Sequence, residues 1–286
     1  MSPAAIRIRD CETTVFARYG FVPKEHTVSL VQPQVDVRVL EFGAGNGKTP
    51  VLLLHGIASV TALAAPLRPE YGPSVREHAV AVLRGLCDAL EIRRADLVGH
   101  SMGGQFSLYF ALDAADRVRR VVTLGAPGAG FAEVRPAPVM CALSVPLLGP
   151  ALLRLPLPRT AYRRSNENLL GRGALDGWPQ EFTEVGHLAA RRPGFAPSVA
   201  SLFRGLITPA RVRPGIPVGH AELATIAQPV LLLWGDDDLF LTPDRAQPSI
   251  DAIPHGTLTR MPGGHAPWLD SPEVCGDALT EFLNAP

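Results

Sequence analysis

Short apolar-rich runs recur along the chain: Pro50 to Leu54, Ala95 to Val98, Arg120 to Leu124 and Pro229 to Leu233, with a weaker one at Leu258 to Met261. Each is too short for a buried helix and too uniformly apolar for a strand with one wet face. The pattern predicts parallel strands covered on both sides. Ahead of them, residues 27–42 (TVSLVQPQVDVRVLEF) are rich in β-branched side chains and partly alternate, predicting two antiparallel strands. Gly43 to Thr49 reads as a hairpin turn. It does not qualify as a phosphate loop, because the position five before Gly47 is Phe42 and a strand rather than a helix follows.

Helical spacing takes over between these runs. Ser74 and Glu77 form a capping-box pattern, and Val75, Ala79, Leu83, Leu86 and Leu90 then repeat on one face to about Glu91. Gln105 to Asp113 continues as a helix. Ser271, Pro272 and Glu273 open a last helix that turns Leu279, Phe282 and Leu283 inward. Strands alternating with helices predict an α/β fold with a mostly parallel sheet and right-handed crossovers. Residues 127–228 break the alternation: they are proline-rich, with helical patches and no clear strand. The chain divides on this reading into a core, 1–126 with 229–286, and a helical cap or lid, 127–228, over the carboxyl edge of the sheet.

Charge narrows the functional classes. Lys plus Arg equals Asp plus Glu at 27 each, so no block of like charge marks a nucleic-acid surface. Aromatic residues, at 6%, are too few for a base-stacking platform. The four cysteines, Cys11, Cys87, Cys141 and Cys275, stand far apart and have no metal-ligand spacing. They read as reduced thiols of a cytoplasmic protein. The N-terminus has no continuous apolar segment of a signal peptide. Ala137 to Pro158 approaches the length of a membrane span, but five prolines and Arg154 interrupt it, so a buried or substrate-facing lid is expected instead. A small-molecule substrate is the expected partner, with no metal or cofactor. Oligomeric state stays open.

The chemistry concentrates in four places. Gly99-His100-Ser101-Met102-Gly103 follows the Ala95–Val98 run and precedes a helix. A serine on so sharp a turn needs small neighbours, and the turn lifts its hydroxyl to a helix N-terminus where free N–H groups meet a developing oxyanion. Chance alone supplies roughly 0.1 such patterns in a chain of this composition, so the strand-turn-helix context does the discriminating. His55-Gly56 ends the first parallel run, and the Ile57 amide beyond it can pair with that of Met102 as an oxyanion hole. Gly235-Asp236-Asp237-Asp238 follows the fourth run, where an acid can orient a histidine; the chemistry alone leaves three candidates. Gly263-Gly264-His265 lies before the last helix. The order Ser, Asp, His matches triads on one fold and differs from the other two common orders.

VLLLHG, GHSMGG, LLLWGDDD and GGHAPWLDSPE together resemble the α/β-hydrolase family over residues 27–126 and 229–283. The resemblance implies Ser101 as nucleophile, His265 as base, Asp238 as orienting acid, and the Ile57 and Met102 amides as oxyanion donors. It implies hydrolysis of a small, largely apolar ester, lactone or thioester through an acyl-enzyme. Carbon–carbon bond hydrolysis and cofactor-free haloperoxidase chemistry use the same triad. One departure stands out: the family places a helix and a strand between the His-Gly turn and the elbow strand, and Ile57 to Arg94 is too short to hold them beside the 74–91 helix. A sheet lacking that unit must pair the hairpin directly with the Pro50–Leu54 strand or leave an open edge. The chain is then either a trimmed enzyme or an inactive, binding-only remnant.

Overall fold

The apolar-rich runs pair in sequence order into one parallel sheet. In the computed structural model, which describes residues 3–43, 47–57, 74–171 and 173–285, strands β3 (Val51–Leu54), β4 (Ala95–His100), β5 (Val118–Leu124), β6 (Val230–Gly235) and β7 (Gly256–Met261) lie side by side. Every neighbouring pair is parallel. Both faces of the central strands β4, β5 and β6 are covered, as their continuous apolar runs require, whereas β3, expected to be covered on both sides, leaves Val51 and Leu53 exposed on one face because it is an edge strand. Leu97, Val121, Leu232 and Trp234 face helices α2 (Val75–Ala89) and α3 (Met102–Asp113), together with α10 (Pro243–Asp251). Val98, Val122, Leu231 and Leu233 point the other way, onto α12 (Pro272–Asn284). The period-two alternation of side chains along a strand produces this division. At roughly 25 cal/mol per Å² of apolar surface removed from water, such two-sided burial dominates the favourable side of folding.

Two expected boundary signals behave differently from one another. Ser74 accepts the Glu77 amide at 3.0 Å and opens α2 as its pattern predicts. Ser271 does not cap α12; its hydroxyl donates to the Pro262 carbonyl at 3.2 Å. That bond ties the last helix to the loop before His265.

The hairpin reading of residues 27–42 gains two flanking positions: β1 (Lys24–Val31) and β2 (Gln34–Glu41) pair antiparallel as a separate two-stranded sheet. Gly43 to Thr49 is therefore not a hairpin turn but the link between two sheets; residues 44–46 lie outside the described residues. The hairpin does not close the gap left by the expected missing unit. Among the described residues β3 pairs with β4 alone, and Leu53 is 67% exposed. Most of the segment that carries this expectation, residues 58–73, lies outside the described residues.

An N-terminal helix that the hydrophobic pattern does not predict, α1 (Pro3–Arg18), joins the hairpin to the insertion. Glu12 takes a two-pronged hydrogen bond from Arg38 of β2, at 2.9 and 2.7 Å, which holds the guanidinium above its usual pKa despite partial burial. Ile8 packs against Val185 and Ala189 of α7 (Gln180–Ala190). Between β5 and β6 the chain is helical: α4 (Pro138–Ser144), α5 (Leu148–Arg154), α6 (Arg159–Leu170), α7, α8 (Phe195–Leu206) and the short α9 (His220–Leu223). A final short helix, α11 (Pro267–Asp270), sits between β7 and α12. No helix among the described residues is long and apolar enough to cross a membrane.

Candidate active site

Ser101 stands between β4 and α3 with φ 53° and ψ −117°, a conformation that a residue with a Cβ adopts at a cost of about 1–3 kcal/mol. Its amide donates to the Leu124 carbonyl at 3.2 Å, which pins the turn to β5. The flanking glycines are required by space. A Cβ on Gly103 would lie 2.1 Å from the Leu54 carbonyl oxygen, and one on Gly99 would lie 2.3 Å from the Gly103 carbonyl carbon. The serine itself remains half-buried.

Burial separates the three aspartates where chemistry could not. Asp236 and Asp237 are exposed, and Asp236 pairs with Arg260 on the surface at 2.7 Å. Asp238 is 1% exposed. Its Oδ2 meets His265 Nδ1 at 2.8 Å and also accepts the Ala126 amide at 2.9 Å, while Oδ1 accepts the Phe240 amide at 2.9 Å. Three donors on two oxygens fix the carboxylate in place and direct the histidine's Nδ1 proton toward it.

His265 is 3% exposed, and its Nε2 has no hydrogen-bond partner among the described residues. A buried ring nitrogen without a partner is costly in a folded chain, and it leaves a lone pair free for a proton. The glycines before it answer to space as well: a Cβ on Gly264 would lie 2.3 Å from the Leu170 carbonyl oxygen at the end of α6. The same Leu170 carbonyl accepts the Ala266 amide at 3.2 Å, so the histidine loop and the insertion share a backbone bond.

The backbone before Ile57 runs close to the serine. A Cβ on Gly56 would come within 3.1 Å of Ser101 Cβ, so the peptide leading to Ile57 begins beside the serine. Ile57 and Met102 pack in one apolar cluster with Phe195, Val199 and Phe203 of α8. Sequence reading missed several contributors. His100 Nε2 donates to the His265 carbonyl at 3.1 Å, and its ring meets Trp268 edge-on at 4.5 Å between centroids. Phe240 covers the His265 ring at 4.3 Å. Gln105 accepts the Ala129 amide at 3.0 Å and donates to Tyr109 at 2.7 Å, holding the loop after β5 against the start of α3. All sit inside or next to the recognised motifs, but their partners are set by tertiary packing.

Among the described residues no group of three or more His, Cys, Asp or Glu is arranged to hold a metal. All four cysteines are free, and burial raises the Cys275 thiol to about 11, away from thiolate chemistry.

Two histidines make the site sensitive to acid. Burial holds His100 well below its ordinary value, with repulsion from His265 second, and burial also lowers His55. Because both shifts are downward, the unfolded chain binds protons below about pH 6.5 that the folded chain resists. Stability should be flat in this respect above pH 7. It should then fall as pH drops, by up to about 1.4 kcal/mol per pH unit for each histidine. Urea midpoints measured between pH 8 and 5 test this; a midpoint that does not move between pH 7 and 5.5 contradicts it.

The comparisons agree with this geometry at the level of the fold. Carboxylesterase CesB from Bacillus subtilis superposes with a TM-score of 0.73 at 17% identity, covering 99% of both chains. A 2-hydroxy-6-oxo-6-phenylhexa-2,4-dienoate hydrolase from Rhodococcus sp. strain RHA1 superposes with the same TM-score at 20% identity, covering 93% of this chain and 100% of the other. In sequence, the chain is 32% identical over 234 residues to a 2-hydroxy-6-oxo-2,4-heptadienoate hydrolase from Pseudomonas putida, over 71% of this chain and 76% of that one. A model of the alpha/beta hydrolase family matches residues 31–278, from the end of β1 into the last helix. With its parallel sheet, its serine at a strained strand-helix turn and nearly the whole chain inside that match, the protein is a hydrolase that belongs to the alpha/beta hydrolase family.

Proposed function

We propose that the chain hydrolyses a carbon–carbon bond beside a ketone in a 2-hydroxy-6-oxo-dienoate-type acid, with Ser101 as nucleophile, His265 as base and Asp238 as its orienting acid. The observation that carries this reading is the 32% identity to the heptadienoate hydrolase. Residues 127–228 act as a cap in this proposal, and 1–126 with 229–286 as the core. The packing of α8 against Met102 and the Leu170–Ala266 backbone bond support that division.

The electron count dictates the order of events. In the enol form the bond to be cut would leave a vinyl anion, which no protein environment stabilises enough. Moving the enol proton to the carbon beside the ketone removes that obstacle, because the leaving carbanion is then conjugated through the remaining alkene to the second carbonyl. Ser101 Oγ passes its proton to His265 Nε2 and attacks the ketone carbon. The Ile57 and Met102 amides receive the negative oxygen. Collapse breaks the carbon–carbon bond, its electron pair becomes the dienolate, and His265 returns the proton to carbon. Water then cleaves the acyl-enzyme, giving up a proton through His265, and a carboxylic acid leaves.

Ester hydrolysis is the second reading, with an alkoxide leaving in place of the dienolate. The apolar cluster of Met102, Phe195, Val199 and Phe203 beside the serine favours a small, largely apolar acyl group. Parallel assays with 2-hydroxy-6-oxo-2,4-heptadienoate and p-nitrophenyl acetate separate the two, following loss of the dienol absorbance and release of nitrophenol. The carbon–carbon reading expects kcat/KM for the dienoate to exceed that for the ester by about 100-fold. The reverse ratio makes the chain an esterase, and turnover of neither substrate removes both assignments.

A further inference from the structure

The cap carries a surface that hydrolysis of a dissolved substrate does not explain. Val139, Leu147, Leu148, Leu152, Leu155 and Leu157 are all exposed within 19 consecutive residues, on α4, α5 and the turns that flank them. Leu147 sits at the apex between the two helices. It is 87% exposed, and its backbone is held at φ 66°, a region that a branched side chain enters only under strain. The turn brings α5 so close to α4 that a Cβ on Gly149 would lie 2.1 Å from the Leu143 carbonyl oxygen, while the Leu147 side chain itself is left facing solvent.

Charge distribution points the same way. Between Glu133 and Glu167 the chain carries five arginines and neither a lysine nor an acidic residue, although the whole chain is balanced at 27 against 27. Arg135, Arg154 and Arg164 make no ion pair among the described residues. An apolar face that carries Arg154 without an acidic partner among the described residues is poorly suited to self-association through a two-fold axis, because the same positive charge would meet itself across it. It is well suited to a negatively charged interface. The two helices are seven residues each, too short to span a bilayer but long enough to lie in one. Their inner side chains, Met140, Leu143 and Leu153, pack against the cluster that contains Met102.

We propose that the outer face of α4 and α5 docks on an anionic lipid membrane, with Leu147 and Leu155 entering the headgroup–acyl boundary and Arg154 meeting the phosphates. The chain rests on the bilayer without crossing it, and the same two helices separate lipid from the region of Ser101. This holds whichever bond the enzyme cleaves, so its failure and that of the proposed reaction are distinguishable.

Flotation of the purified full chain with vesicles tests it, using phosphatidylcholine alone and an equal mixture of phosphatidylcholine and phosphatidylglycerol. The chain should float with the mixed vesicles, weakly with the neutral ones, and less as salt rises. Leu147→Ser combined with Leu155→Ser should abolish flotation while leaving circular dichroism and the thermal midpoint unchanged. Arg154→Glu, which changes the local charge by two, should lower partitioning into mixed vesicles by about thirty-fold, at roughly five-fold per charge. The proposal is overturned if the chain stays in the dense fraction with both vesicle types or floats equally with both. It is also overturned if the double leucine variant floats unchanged, or if light scattering shows that those leucines hold a dimer instead.

Discussion

Ser101→Ala should leave a folded protein whose turnover is lower by about 10⁴-fold or more. The hydroxyl caps no helix, and alanine suffers the positive φ no more than serine does, so stability should change by less than about 0.5 kcal/mol. The loss is kinetic: without Oγ no acyl-enzyme forms, and His265 has no proton to accept. Intact mass after a fluorophosphonate probe gives the cleanest reading. The wild-type chain should gain a single adduct and the variant none. An adduct that persists in Ser101→Ala would place the nucleophile elsewhere. A wild-type chain that takes no adduct would support the binding-only remnant that the short 57–94 segment raises.

The second large effect belongs to Asp238→Asn, which should lower kcat by about 10⁴-fold with little change in KM. Asp238 accepts from three donors, the Ala126 and Phe240 amides and His265 Nδ1–H. An asparagine must turn its NH2 toward one side, so either the Phe240 amide or the Ala126–His265 pair meets a donor instead of an acceptor. If it faces the histidine, the favoured tautomer carries its proton on Nε2, where the base is needed. The misfit should also cost about 1–3 kcal/mol of stability. Asp236→Asn and Asp237→Asn are the controls. Both residues are exposed, and water screens the Asp236–Arg260 pair on the surface, so kcat should stay within about two-fold. Steady-state kinetics of the three variants side by side checks the assignment, and equal losses in all three would defeat it.

Local chemistry made the sheet and the serine turn readable. Runs such as Ala95–Val98 and Pro229–Leu233 are too apolar to be anything but doubly covered strands, and Gly99 and Gly103 are dictated by contacts within the serine turn and with the end of β3. The choice among Asp236, Asp237 and Asp238 is not readable from chemistry and rests on family spacing; of the three, Asp238 is the one that is buried and bonded to His265. Features set by distant partners stayed hidden. His100 shows its purpose only once the His265 carbonyl lies 3.1 Å away. Gly43–Thr49 looked like a hairpin because turn residues do not say whether the strands they join will pair. Helix α1 offers no strong apolar stripe, since only Ile8 and its neighbours find cover, and that cover comes from α7.

That last contact bears on how the chain acquires its structure. Arg7 bonds Glu184 across 177 residues of sequence, so α1 can meet the β1–β2 hairpin early but lacks its second docking surface until α7 has been made. At about 5–20 residues per second, α1 waits roughly 10–40 s before that surface exists. Such a long-range closure is slow in folding terms and leaves Ile8 unburied meanwhile. In the finished protein, α1 is correspondingly the element whose release would separate the β1–β2 hairpin from α7 without disturbing the strands beneath Ser101.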